Sequence, residues 1–85
     1  MHAELLSRPV NFAVVQLPER RFPGVVFQGD TLHALTQQVD EILELLRVGD
    51  FVGLVAELED VSEKLRGAQT HYEHVCSERG IALPY

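Results

Sequence analysis

From Phe51 onward, Phe51, Leu54, Leu58, Val61, Leu65, Ala68, Tyr72 and Val75 alternate spacings of three and four without a break. A strand cannot carry that pattern, because its side chains repeat every two residues. It requires a long amphipathic helix with a coiled-coil-like seam. Leu32, Leu35, Val39, Ile42 and Leu46 repeat the spacing, with Leu43 beside them, so another helix precedes it. Gly29-Asp30-Thr31 is its start signal, with Asp30 or Thr31 able to cap the first free amides. Val48-Gly49-Asp50 ends this helix and caps the next, and so short a link makes the pair an antiparallel hairpin. Gly80 stands where a C-terminal cap belongs, and Arg79 in the last turn suits the helix dipole.

Before Gly29 the apolar pattern suits strands. Residues 3–7 read as a short first strand with Leu5 and Leu6 on opposite faces, interrupted by Arg8-Pro9-Val10-Asn11. Residues 12–17 are apolar on both faces, which places this strand centrally. Pro18 ends it, Pro23-Gly24 marks a turn, and residues 25–28 form the third strand. The tail 81–85 is apolar enough to dock on the body and can add a fourth strand. The expected fold is therefore α+β: a three-stranded, or with the tail four-stranded, mainly antiparallel sheet followed by an antiparallel two-helix hairpin packed on one face. All 85 residues form a single domain on this reading, with the sheet in 1–29, helix one in 30–47, helix two in 50–79 and the docked tail in 80–85.

The charge distribution bears on partners. The chain carries 13 acids against 7 bases, a net charge of −6, which argues against direct nucleic-acid binding. Residues 1–29 hold three bases and two acids, whereas residues 30–85 hold eleven acids and four bases. Such a helical face serves solubility, or it matches a small basic protein partner. Asp40, Glu44, Glu57 and Asp60 are the expected acidic side of that surface. Arg20, Arg21 and Phe22, on the loop between the second and third strands, are its other candidates, because loops on a rigid sheet commonly carry recognition. Helix two should outrun helix one, leaving Ala68, Tyr72 and Val75 to bury themselves against the sheet, the tail or a second subunit. Self-association through these three, as a homodimer, is the expectation.

Catalytic and metal chemistry find little to work with. His71 and His74 are three apart and could share a metal, but zinc sites usually need three or four ligands. Both are read as solvated. Cys76 adjoins the apolar seam, where a cysteine is usually an inert small hydrophobe rather than a partner for a catalytic histidine. His33 reads as a surface residue, and His2 lies near a terminus. The many carboxylates fall on outward helix faces, without a pocket to perturb them. Gly24 and Gly29 flank a strand and do not form a phosphate loop. The expectation is a protein that is not an enzyme and takes no cofactor or metal. One cysteine permits no internal disulfide, the first residues lack a signal-peptide pattern, and no apolar run approaches the ~20 residues of a membrane span. The cytoplasm is the expected location.

Pro23-Gly24, followed by Gln28-Gly29-Asp30-Thr31-Leu32 at the head of a helix, resembles the core of HicB-like antitoxins over about residues 3–47. The tail Gly80-Ile81-Ala82-Leu83-Pro84 is similar to the Gly-x-x-x-Pro segment that often follows the helix in that family. The resemblance implies a partial ribonuclease-H-like sheet without catalytic acids, and a non-catalytic module that neutralises or sequesters a protein partner, as antitoxins and immunity proteins do. Departures are His33 and Ala34 where the family has glutamates, the intervening second helix, and the lack of a C-terminal DNA-binding domain. The whole chain also looks like short bacterial proteins of no established function that end in the same Leu83-Pro84-Tyr85. The alternative to a neutralising module is a structural or regulatory homodimer that self-associates or binds a small ligand.

Overall fold

The computed structural model describes residues 2–6 and 12–85; Ser7 and the expected break at Arg8-Pro9-Val10-Asn11 lie outside them. In order come β1 (Glu4–Leu5), β2 (Phe12–Gln16), β3 (Gly24–Phe27), α1 (Gly29–Val48) and α2 (Phe51–Glu78). A three-stranded antiparallel sheet followed by two helices is the α+β arrangement that the periodicities require. The chain divides into two compact units, one made of Met1–Gln28 with Ala68–Tyr85 and the other of Gly29–Gly67.

In the sheet unit the strands lie in the order β1-β2-β3. The central place goes to the strand that is apolar on both faces: Ala13, Val14 and Val15 are all buried. Cross-strand pairing sets Phe12 opposite Phe27 and Val14 opposite Val25. Side chains alternate between faces, so these four share one side of the sheet. On that side Val14 packs with Leu6, Tyr72, Val75 and Cys76, and Val25, Ile81 and Leu83 close around them. Leu6 is buried while Leu5 is half exposed, as opposite faces demand. The tail thus docks through Ile81 and Leu83, without regular structure of its own.

Two further bonds tie this unit together. The Tyr72 hydroxyl donates to the carbonyl of Pro23 at 2.9 Å, and the Arg79 Nε donates to the carbonyl of Leu6 at 3.2 Å. Beyond α2, Gly80 adopts a positive φ of 66°. Its amide donates to the Ser77 carbonyl and that of Ile81 donates to the Cys76 carbonyl. This is a Schellman cap, which needs the left-handed conformation that glycine reaches without a Cβ clash.

The hairpin unit repeats the same device. Gly49, at φ 80°, closes α1 with bonds from Gly49 to Leu46 and from Asp50 to Leu45. Asp50 then starts α2, its carboxylate accepting from the amide of Gly53 at 3.0 Å, as an N-cap does. A Cβ at position 53 would come within 2.7 Å of that carboxylate, so the cap and the glycine go together. At the other end α1 begins at Gly29, and the Asp30 carboxylate accepts from the amide of Thr31. Asp30 therefore sits inside the first turn. The helices have 20 and 28 residues, so α2 is the longer, as its seam requires.

Candidate interaction surface

The expected partner-binding residues fall into separate groups. Arg20 and Arg21 are exposed on the loop after β2. The Gln16 side chain steadies that loop by donating to the carbonyls of Leu17 and Arg20. The Arg21 guanidinium lies 5.2 Å from the centre of the half-buried Phe22 ring, within cation–π range.

The four acids do not share one face. Asp40 borders a groove between α1 and α2 that is otherwise lined by Leu35, Thr36, Val39, Val61 and Leu65. Glu57 and Asp60 accept from the Gln38 amide at 3.0 and 2.7 Å. Lys64 donates to the Gln38 carbonyl oxygen and pairs with Asp60. Adjacent positions on a helix point about 100° apart, so Gln38 turns toward α2 while Val39 turns toward the groove. Glu57 and Asp60 go with Gln38, and Asp40 with the groove. Glu44 is engaged by Arg47 on its own helix. Arg47 holds the Glu44 carboxyl below its ordinary range, and Gln38, then Lys64, do the same for Asp60.

The residues expected to mediate self-association are already occupied. Ala68, Tyr72 and Val75 are buried within the sheet unit, the last two against β2 and the tail. They take the first two of the three options that the overhang left open, and offer no surface to a second subunit. Burial, and after it the neighbouring Cys76 thiol, push the Tyr72 phenol pKa up.

The histidines also separate. His74 is exposed, with Nε2 3.0 Å from the Glu78 carboxylate. His71 is not solvated as expected: it lies edge-on to the Phe12 ring at 5.3 Å, and its buried Nε2 has no hydrogen-bond partner among the described residues. The reason is tertiary, because Phe12 on β2 and Phe27 on β3 share the sheet face against which this turn of α2 packs. Cys76 is fully buried. Among the described residues no cluster of three or more His, Cys, Asp or Glu side chains could hold a metal ion. Nor is any described helix long and apolar enough to cross a membrane.

What sequence reasoning missed is a second seam on each helix of the hairpin unit. Thr31, Leu35, Gln38, Ile42 and Leu45 are buried or half buried, as are Leu54, Glu57 and Val61; these close the crease. Beside them, Leu32, Thr36, Val39, Leu43 and Leu46 follow spacings of four and three, and Phe51, Val55, Leu58, Ser62 and Leu65 do the same on α2. None of these ten is buried, and none is charged. Phe51 is 62% exposed, Leu43 59% and Leu58 48%. Among the described residues, Ile42 is the one buried residue of this unit. In an antiparallel pair the two outer seams lie on the same side, the side of the groove. A strict 4-3-4-3 count separates the two seams, whereas one broad stripe merges them.

Comparison with curated proteins and with solved structures found no match. The sequence alone is placed, end to end: residues 1–85 match the pattern of DUF6959, a family of unknown function, and the chain belongs to that family.

Proposed function

We propose that this protein is a non-catalytic protein-binding module that works through the uncharged apolar side of its hairpin unit. The carrying observation is the pair of exposed seams, Leu32–Leu46 on α1 and Phe51–Leu65 on α2. Monomeric proteins rarely leave apolar patches of more than a few hundred Å² in water, and larger ones mark interaction sites. A HicB-like role, neutralising or sequestering a protein partner, is the finer reading. Its support is the Pro23-Gly24 and Gln28-Gly29-Asp30-Thr31-Leu32 match, which falls at the β3 entry and the β3–α1 junction. On that reading Asp40 adds polar specificity at the edge of the groove, and Arg20, Arg21 and Phe22 are a separate candidate on the loop of the sheet unit.

The test uses the intact chain as bait in lysate from the cells that make it, at low and high salt, alongside Leu43→Glu and Leu58→Glu. The expected result is a protein contact that the two seam variants abolish and that salt leaves largely intact. A bait that binds neither itself nor any other protein overturns the reading. The alternative of a regulatory homodimer is favoured by one observation, the absence of charge on either seam.

A further inference from the structure

We infer that the occupant of the hairpin face is a second copy of this chain, and that two hairpins close into a four-helix bundle. This rests on reading that face as a binding surface, and it names the partner. In a four-helix bundle each helix faces two neighbours, so it needs apolar residues beyond a single a/d seam. Each helix here has that breadth: one seam closes the crease within the chain, and the other is open. One chain supplies two such helices. A second copy supplies the other two, with the same faces, as a two-fold interface requires.

Charge favours the same occupant. The unit Gly29–Gly67 holds nine acids against three bases, so a basic partner would be drawn to its charged sides. The ten seam positions carry no charge; Asp40 stands at the rim of the groove, while Glu57 in the crease and Asp60 beside it are engaged by Gln38, and Asp60 by Lys64 as well. The surface that meets these seams must itself be neutral and apolar. A second copy offers such a surface.

The area is sufficient. The eight large apolar residues of the two seams are each roughly half exposed, which offers on the order of 800 Å² if a full large apolar residue counts as about 200 Å². A stable interface of standard size takes about 800 Å² per partner. The groove lined by Leu35, Thr36, Val39, Val61 and Leu65, with Asp40 at its rim, is a hole for side chains of a facing helix, as knobs-into-holes packing needs.

Sedimentation equilibrium of the intact chain tests this. The expected result is a reversible monomer–dimer equilibrium, since a dimer that binds only its own kind depends on concentration. Leu43→Glu and Leu58→Glu should each weaken the dimer at least about tenfold, as truncating buried anchors does. Val26→Glu on the sheet and Val52→Glu off the seam should leave it unchanged. Thr36→Glu with Ser62→Glu places charge on both seams without removing an apolar side chain, and far-UV circular dichroism confirms that the helices persist. A monomer at all concentrations overturns the proposal, as does a dimer indifferent to the seam variants or a trimer. A monomer that captures a different protein through the seams overturns the second copy and leaves the binding module standing. A monomer that captures nothing removes both.

Discussion

The two units of this chain spend their apolar residues in opposite ways. The sheet unit holds equal numbers of acids and bases, and it buries Leu6, Val14, Tyr72, Val75 and Cys76 in one cluster. The hairpin unit carries the chain's whole net charge of −6 and buries one residue, Ile42, among those described. The difference does not lie in the supply of large aliphatic residues, which the hairpin has in plenty. It lies in what each unit has to cover them. In the sheet unit, strand, helix and tail meet around Val14. In the hairpin unit taken by itself, two helices face each other, and a pair of cylinders covers one seam on each. A unit that is apolar and incompletely covered is stable as part of something larger, and this contrast carries the binding reading.

Equivalent truncations in the two units should have unequal costs. Tyr72→Ala removes a buried ring and leaves the Pro23 carbonyl without its donor. It should cost about 3–5 kcal/mol, the range for deleting a large buried aromatic, and an 85-residue domain has only roughly 4–13 kcal/mol in total. Leu58→Ala, at a half-exposed position, should cost well under half of that at concentrations where the chain is monomeric. Urea unfolding of both variants in dilute protein checks the ratio. Equal losses would mean that the hairpin seam is covered within the chain.

Much of this division was legible in the sequence. Pro18, Pro23, Gly49 and Gly80 punctuate the chain where the elements end, because proline and positive-φ glycine leave few alternatives. Val14 and Cys76 read as buried, and Leu5 and Leu6 as opposed, on alternation and seam position alone. Less legible was which seam is covered. The stripe Leu32, Leu35, Val39, Ile42, Leu46 runs between the inner and outer seams, and periodicity shows that a face is apolar without showing what lies on it. Asp40 and Asp60 look equivalent in sequence. They part only when the crease is located, since the angle between a residue and the neighbouring helix is a tertiary fact. His71 is the same lesson in the sheet unit: its burial depends on Phe12, 59 positions away.

The packing of the sheet unit should also show in alkaline titration. Burial and the Cys76 thiol raise the Tyr72 pKa above its ordinary 10.0. The folded state therefore favours the neutral phenol. Its contribution is fully present below pH 10 and is lost as pH rises through the higher folded value. The melting temperature should fall over this range. Tyr72→Phe should remove part of the fall and leave the remainder, since the Tyr85 phenol is also raised by its bond to Glu73. An identical alkaline profile for the variant would mean that Tyr72 ionises without leaving its site.

A gain should be available in the hairpin unit at its last residue. Gly67 lies inside α2, and a Cβ there would meet nothing within 4 Å. Glycine in a helix interior costs about 0.5–1 kcal/mol relative to alanine, mostly through the entropy of the unfolded chain. Gly67→Ala should stabilise by that amount in urea unfolding. A loss of stability would reveal a close approach at this position that the free space does not suggest.

The smallest effect should come from the acidic surface itself. Arg47 lowers the Glu44 pKa from its ordinary 4.5, and Gln38 with Lys64 lowers that of Asp60 from 3.8. A depressed folded value stabilises the charged form, so this contribution is present above those ordinary values and is lost as pH falls through the lower folded ones. Both carboxylates are in water, where an ion pair is screened and offset by the entropy of ordering two side chains. Glu44→Gln with Asp60→Asn should therefore flatten the acid limb of the melting profile only slightly, and added salt should erase the difference between variant and wild type. The hairpin would then owe its stability to apolar contact, and its charge would keep an otherwise adhesive unit soluble. If the acid limb of the wild type proved steeper than the alkaline one, and the double variant abolished it in high salt as well, the Gln38 network would be holding the crease shut. The contrast between a packed unit and a merely charged one would have to be redrawn around that network.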